Sequence, residues 1–82
     1  MIFNVEVKVT LKPTVMDAQG TTIERALKKL GHDGVTNVRI GKYITMQVET
    51  GSENEAKAAA KVMCEELLAN QIIEEFAVEV IK

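Results

Sequence analysis

The segment Leu67-Leu68-Ala69-Asn70-Gln71-Ile72-Ile73-Glu74-Glu75-Phe76 constrains the fold more than any other. Helical periodicity runs out at Asn70, a residue that tolerates the left-handed conformation at helix ends, and the β-branched pair Ile72-Ile73 is expected to open a strand at once. Few folds demand so abrupt a change from helix to strand. The other end of the chain is equally economical. Phe3, Val5, Val7, Val9 and Leu11 alternate with Asn4, Glu6, Lys8, Thr10 and Lys12, which predicts a strand with one buried face. It leads through Lys12-Pro13-Thr14-Val15-Met16-Asp17-Ala18-Gln19-Gly20 into a helix.

Thr21-Thr22-Ile23-Glu24 has the form of a capping box, with a Thr21 hydroxyl to receive an amide and Glu24 to reach back. The helix that follows places Ile23, Ala26, Leu27 and Leu30 on one face, with Lys28 and Lys29 at the negative end of its dipole and Gly31 as its stop. Between Val35 and Glu49 the apolar residues Val38, Ile40, Ile44, Met46 and Val48 share one parity. Any turn there must keep that parity. A hairpin turning at Gly41-Lys42-Tyr43 does so and is the expectation. One long strand bent at Gly41 does so equally and would match the long strands on either side. Ser52-Glu53-Asn54-Glu55 is a second capping box, opening an alanine-rich helix whose predicted core face is Ala56, Ala59, Ala60, Met63, Cys64 and Leu67. The last strand runs from Ile72 to Ile81 with Phe76, Val78 and Val80 on one side.

The order β-α-β(-β)-α-β, with half-polar alternation in every strand, predicts an α+β fold. Its two layers are a largely antiparallel sheet of three to four strands and two helices on one face, related to ferredoxin-like folds. Residues 1–82 form one expected domain, since 82 residues support only a modest core. Ten basic and twelve acidic side chains give a net charge of -2, which does not favour a nucleic-acid backbone or an anionic membrane surface as partner. No apolar run approaches the roughly 20 residues needed to span a bilayer. A single cysteine builds no disulfide framework, and the chain opens directly on an alternating strand, which together indicate the cytoplasm.

Candidate chemistry is sparse. His32, the one histidine, sits in a Gly-His-Asp-Gly loop with no second histidine or cysteine placed to complete a metal site. Cys64 falls on the apolar helix face, where a buried structural thiol is the expected role. Glu65-Glu66 and Glu74-Glu75 are carboxylate pairs of the kind usual on solvated surfaces. Gly31 and Gly34 follow a helix, whereas a phosphate cradle precedes one. No catalytic residue, metal ligand or cofactor-binding residue is therefore assigned to this chain. An uncovered sheet face carrying Tyr43, Ala77 and Ile81 suggests self-association instead.

Three ordered motifs carry a family resemblance: Val9-Thr10-Leu11-Lys12-Pro13 followed by Asp17-x-Gln19-Gly20, then Val38-Arg39-Ile40-Gly41-Lys42, then Met63-Cys64-x-x-Leu67-Leu68-Ala69-Asn70. Over nearly its whole length the chain resembles the PurS family, the small non-catalytic subunit of phosphoribosylformylglycinamidine synthase. Ala18 stands where that family usually has proline, and Gln71 where it often has proline or threonine. The resemblance implies a bridging role in an ATP-dependent ligase complex. A glutaminase subunit releases ammonia, and a synthetase subunit uses it, with ATP and Mg, to convert formylglycinamide ribonucleotide into its amidine. It also implies contact with both of those subunits and self-association as a dimer or tetramer. Asp17, Gln19, Gly20, Arg39, Lys42 and Asn70 lie in loops and at element ends, and they are the expected partner-binding residues. The competing reading is local: Gly20 and Asn70 permit backbone conformations and Asp17 caps a turn. Two further functions compete with the bridging role. A stand-alone regulatory domain would bind a small metabolite at a dimer interface, and a small acyl-phosphate hydrolase would need an arginine between Pro13 and Gly20, where there is none.

Overall fold

The computed structural model describes residues 1–81. Three strands, β1 (Ile2–Leu11), β2 (Gly41–Glu49) and β3 (Glu74–Ile81), alternate with two helices, α1 (Ala18–Lys29) and α2 (Glu53–Met63). The strand order is β2-β1-β3, and both pairings are antiparallel. Register follows the apolar parity: Val5 lies between Met46 and Val80, and Val7 between Ile44 and Val78. One face of the sheet is therefore apolar along all three strands.

The core is small in its side chains as well as in its size. Val5, Val7, Val9 and Val48 from the sheet meet Ala56, Ala60, Cys64 and Ala69 from the helical layer. Each buried valine contributes about 1.5–3 kcal/mol, and the alanines let α2 lie close over β1 and β3. Ser52 caps α2 through its hydroxyl, which accepts the Glu55 amide at 3.2 Å, while the Glu55 carboxylate accepts the Gly51 amide at 3.1 Å. Cys64 is fully buried, and that burial raises its thiol pKa, so it serves packing.

Four local expectations are corrected. Residues 35–40 form no strand, and Gly41-Lys42-Tyr43 is the straight beginning of β2, so a single strand replaces the hairpin. The cap of α1 is Asp17, not Thr21, whose hydroxyl donates to the Asp17 carbonyl at 2.9 Å. The helix starting at Glu53 does not run regularly to Asn70. It passes into a π-helical turn, Cys64–Leu68, in which the Ala69 amide donates to the Cys64 carbonyl at 3.0 Å. One extra residue per turn rotates the apolar face, so Leu68 turns inward and Leu67 is left 83 % exposed. Finally, β3 begins at Glu74 and not at Ile72. The Asn70 carbonyl accepts the Ile73 and Glu74 amides, at 3.1 and 2.7 Å, and its side-chain oxygen accepts the Ile72 amide at 3.1 Å. Asn70 thus makes a turn without adopting a left-handed conformation.

The C-terminal stop of α1 is as expected. Gly31, at φ 101°, lets the His32 amide reach the Leu27 carbonyl and its own amide reach that of Lys28, a Schellman arrangement. The lateral packing of α1 is not. The helical layer over the sheet is α2 alone, while Ile23 and Leu30, on the apolar side of α1, are 40 % and 75 % exposed.

Candidate partner-binding site

Antiparallel pairing brings the end of β1 and the beginnings of β2 and β3 to the same end of the sheet, where Thr10 faces Gly41 and Leu11 faces Glu74. Residues 12–17, 37–40 and 69–73 meet there. The Lys12 amide donates to the Ile73 carbonyl at 2.8 Å and so ties two of these segments together. Five of the six expected partner-binding residues form bonds that hold this junction.

Asp17 is 5 % exposed. Its Oδ1 accepts the Gly20 amide at 2.9 Å, and its Oδ2 accepts the Ile40 amide at 2.6 Å. One carboxylate therefore caps α1 and anchors the irregular segment that leads into β2. The Ile40 amide first, then the Gly20 amide, outweigh burial and, with the charge of Arg39, hold the Asp17 pKa below its ordinary value. Glu24, two turns along, accepts the Val38 amide at 3.2 Å, which is the main cause of its own lowered pKa. The 37–40 segment thus lies along the first turns of α1 as a strand would, bonded to side chains.

Gly20 is what allows this approach. A Cβ there would lie 2.9 Å from the Val38 carbonyl carbon, closer still to its oxygen, and 3.0 Å from Asp17 Oδ2. Arg39 points the other way, donating from Nη2 to the carbonyls of Lys12 at 3.0 Å and Val15 at 2.9 Å. On the far side Lys42 Nζ donates to the Leu68 carbonyl at 3.2 Å and lies 3.8 Å from Glu74 Oε2. It is a cation placed at the carbonyl end of the helical segment. The Asn70 amide donates to Glu74 Oε1 at 2.7 Å. Gln19 is exposed beside a shallow groove lined by Ala18, Thr22, Ile23 and Ile40.

Asp17, Gly20 and Arg39 form one cluster, Lys42 and Asn70 a second, and both lie at the same end of the sheet. The identities of Asp17 and Gly20 are required by the fold, so the local reading accounts for those two. The role of Glu24 was not visible in the sequence, because its partner is a backbone amide 14 positions away. His32 lies exposed in the loop after α1, apart from both clusters. Among the described residues no group of three or more His, Cys, Asp or Glu side chains is placed to hold a metal ion, and no helix is long and apolar enough to cross a membrane.

A polar, backbone-bonded junction at the end of a one-helix-covered, three-stranded antiparallel sheet defines the class as a two-layer α+β domain. The family model described as PurS, phosphoribosylformylglycinamidine (FGAM) synthase, matches residues 4–82. The PurS subunit of that synthase from Synechocystis is 42 % identical over 78 residues, covering 95 % of this chain and 78 % of its own. The solved structure of Bacillus subtilis PurS is 40 % identical with a TM-score of 0.86, over 98 % of this chain and 99 % of that one. A chain of PurLQS from Thermotoga maritima is 34 % identical with a TM-score of 0.91, over 99 % of each chain. The chain belongs to the PurS family, the PurS subunit of phosphoribosylformylglycinamidine synthase, a ligase of purine biosynthesis.

Proposed function

We propose that this chain bridges the glutaminase and synthetase subunits of phosphoribosylformylglycinamidine synthase and so supports ammonia transfer between them. The observation that carries this reading is the full-length likeness to a chain of the PurLQS assembly. ATP and Mg belong to the synthetase subunit in this reading, and the whole complex works in the cytoplasm. The isolated chain is expected neither to hydrolyse ATP nor to release ammonia from glutamine. Added to the two other subunits, it is expected to restore glutamine-dependent amidine formation. If activity with glutamine is the same with and without the chain, the bridging role is wrong. Calorimetric titration of the free chain with amino acids and nucleotides addresses the competing metabolite-binding domain, which requires saturable heat.

Within the junction, Lys42 and Gln19 are the residues best placed to meet a partner, because both are exposed at its rim. Gln19→Ala is expected to weaken assembly roughly tenfold, about 1.4 kcal/mol, with the melting temperature nearly unchanged, and Lys42→Ala to weaken it as much while also lowering stability slightly through the lost bond to the Leu68 carbonyl. Arg39→Ala removes a cation from two loop carbonyls and is expected to cost stability as well, about 1 kcal/mol. Equal assembly by all three variants would remove this surface from the interface.

A further inference from the structure

An aspartyl or asparaginyl side chain can close on the main-chain nitrogen that follows it, forming a five-membered succinimide. Closure needs a side-chain carbonyl held by no other group, a following amide not engaged in a hydrogen bond, little bulk on the following residue, and a backbone free to change shape. Asp17 fails the first condition, since both of its oxygens accept amides. Asn4 lies within β1, and Asn54 lies in α2 ahead of a Glu55 amide donated to Ser52. The Val38 amide after Asn37 is donated to Glu24, and Asn70 gives its oxygen to the Ile72 amide. Asp33 differs from all of these. It precedes Gly34, both residues are exposed, and they form the middle of a turn in which the Val35 amide reaches the His32 carbonyl at 3.4 Å. Among the described residues neither the Asp33 carboxylate nor the Gly34 amide has a hydrogen-bond partner. Around Gly34, chain neighbours apart, no atom lies within 4 Å of where a Cβ would stand.

We infer that Asp33 is a self-modification site, at which the folded chain converts aspartate into isoaspartate. The Gly34 nitrogen bonds to Asp33 Cγ and gives up its proton, while the protonated carboxyl gives up its hydroxyl, so one water leaves. Water then returns to one of the two imide carbonyls. Opening at Cγ restores aspartate. Opening at the main-chain carbonyl carbon leaves Gly34 attached through Cγ, frees the α-carboxylate and inserts Cβ into the backbone. The mass is unchanged and no oxidant or reductant is consumed. The fold accommodates the extra backbone atom because the turn lies between two fixed points: the Schellman bonds at Gly31 on one side and the Val38–Glu24 bond on the other. It is also remote from the partner-binding junction. The 12 residues of α1 separate the two by about 18 Å. The freed α-carboxylate is the group that S-adenosylmethionine-dependent isoaspartyl methyltransferases esterify, so the product of this turn is a substrate for that class of repair enzyme.

Ageing the full, folded chain at physiological temperature and digesting it with trypsin tests this, because Lys29 and Arg39 release Asp33 in the peptide Leu30–Arg39. The expected result is a second chromatographic form of that peptide, equal in mass, that grows with time. Electron-transfer fragmentation is expected to place isoaspartate at position 33, and an isoaspartyl methyltransferase with labelled S-adenosylmethionine is expected to label the aged chain more than the fresh one. Gly34→Ala places its methyl in open space at a φ outside the left-handed region, so the variant is expected to keep the wild-type melting temperature. Its added bulk on the attacking residue is expected to slow isomerisation at least roughly tenfold. Asp33→Glu keeps the exposed charge but requires a six-membered ring, and no isomerised product is expected from it. Absence of the second form from the aged wild-type peptide overturns the inference. So does an equal rate in Gly34→Ala, persistence of the second form in Asp33→Glu, or isoaspartate accumulating first at another position. None of these outcomes touches the bridging role, which glutamine-dependent activity reports separately.

Discussion

Gly20→Ala is expected to destabilise the protein by about 2–3 kcal/mol, although the same change in an ordinary helix is favourable. Alanine gains about 1 kcal/mol over glycine in helix propensity. Here the added methyl would meet the backbone of Val38 and not a movable side chain, so the neighbour yields only if α1 and the 37–40 segment separate. Separation breaks the Asp17–Ile40 and Glu24–Val38 bonds as well. For a domain of this size a loss of that kind lowers the melting temperature by about 10 °C or more. Thermal unfolding followed by circular dichroism measures it. A melting temperature equal to or above that of the wild type would mean that the backbone contact at Gly20 is unimportant.

The second large effect is expected at Asp17. Asparagine is normally an excellent helix cap, so at a simple cap Asp17→Asn would be nearly silent. Asp17 uses both oxygens, one for Gly20 and one for Ile40. An amide side chain has one oxygen and would turn its NH2 toward a buried N–H. Asp17→Asn is therefore expected to be almost as damaging as Asp17→Ala. Its pH dependence has a definite sign. The folded-state pKa of Asp17 lies below the unfolded value, so its contribution is complete above about pH 4 and is lost as the pH falls through the folded pKa. The difference in melting temperature between wild type and Asp17→Asn is expected to be largest near neutral pH and to shrink on acidification below about pH 4. A difference that stays constant into acid, or a variant as stable as wild type at pH 7, contradicts the two-amide role.

These two residues also mark where the sequence stops being legible. The strands and their inward faces could be read directly, because a two-residue alternation is local information, and Val5, Val7, Val9, Phe76, Val78 and Val80 all lie where alternation put them. The Schellman end at Gly31 and the Ser52 cap were legible for the same reason. The cap of α1 was not. Thr21 and Glu24 fit a capping box in the sequence, but Asp17 captures the helix start by bonding the distant Ile40 as well, and Glu24 is drawn to Val38. Likewise the π-helical turn at Cys64–Leu68 moved Leu67 outward and delayed β3, since a phase shift of one residue leaves no mark in composition. The six candidate residues were found as a set because they sit at element ends. That they gather at one end of the sheet follows from antiparallel register, which pairs positions far apart in the chain.

The strand order β2-β1-β3 also bears on how the chain is made. The earliest strand is the central one, and it depends on two partners that arrive later: Thr10 waits for Gly41, and Leu11 for Glu74. During synthesis Val5, Val7 and Val9 therefore emerge long before anything can cover them, and one edge of β1 stays open until β2 has emerged and the other until β3 has. Completion of the sheet in this sense waits on its last strand and is set by long-range loop closure, with chaperone contact expected to fall first on the segment that becomes the most deeply buried part of the sheet.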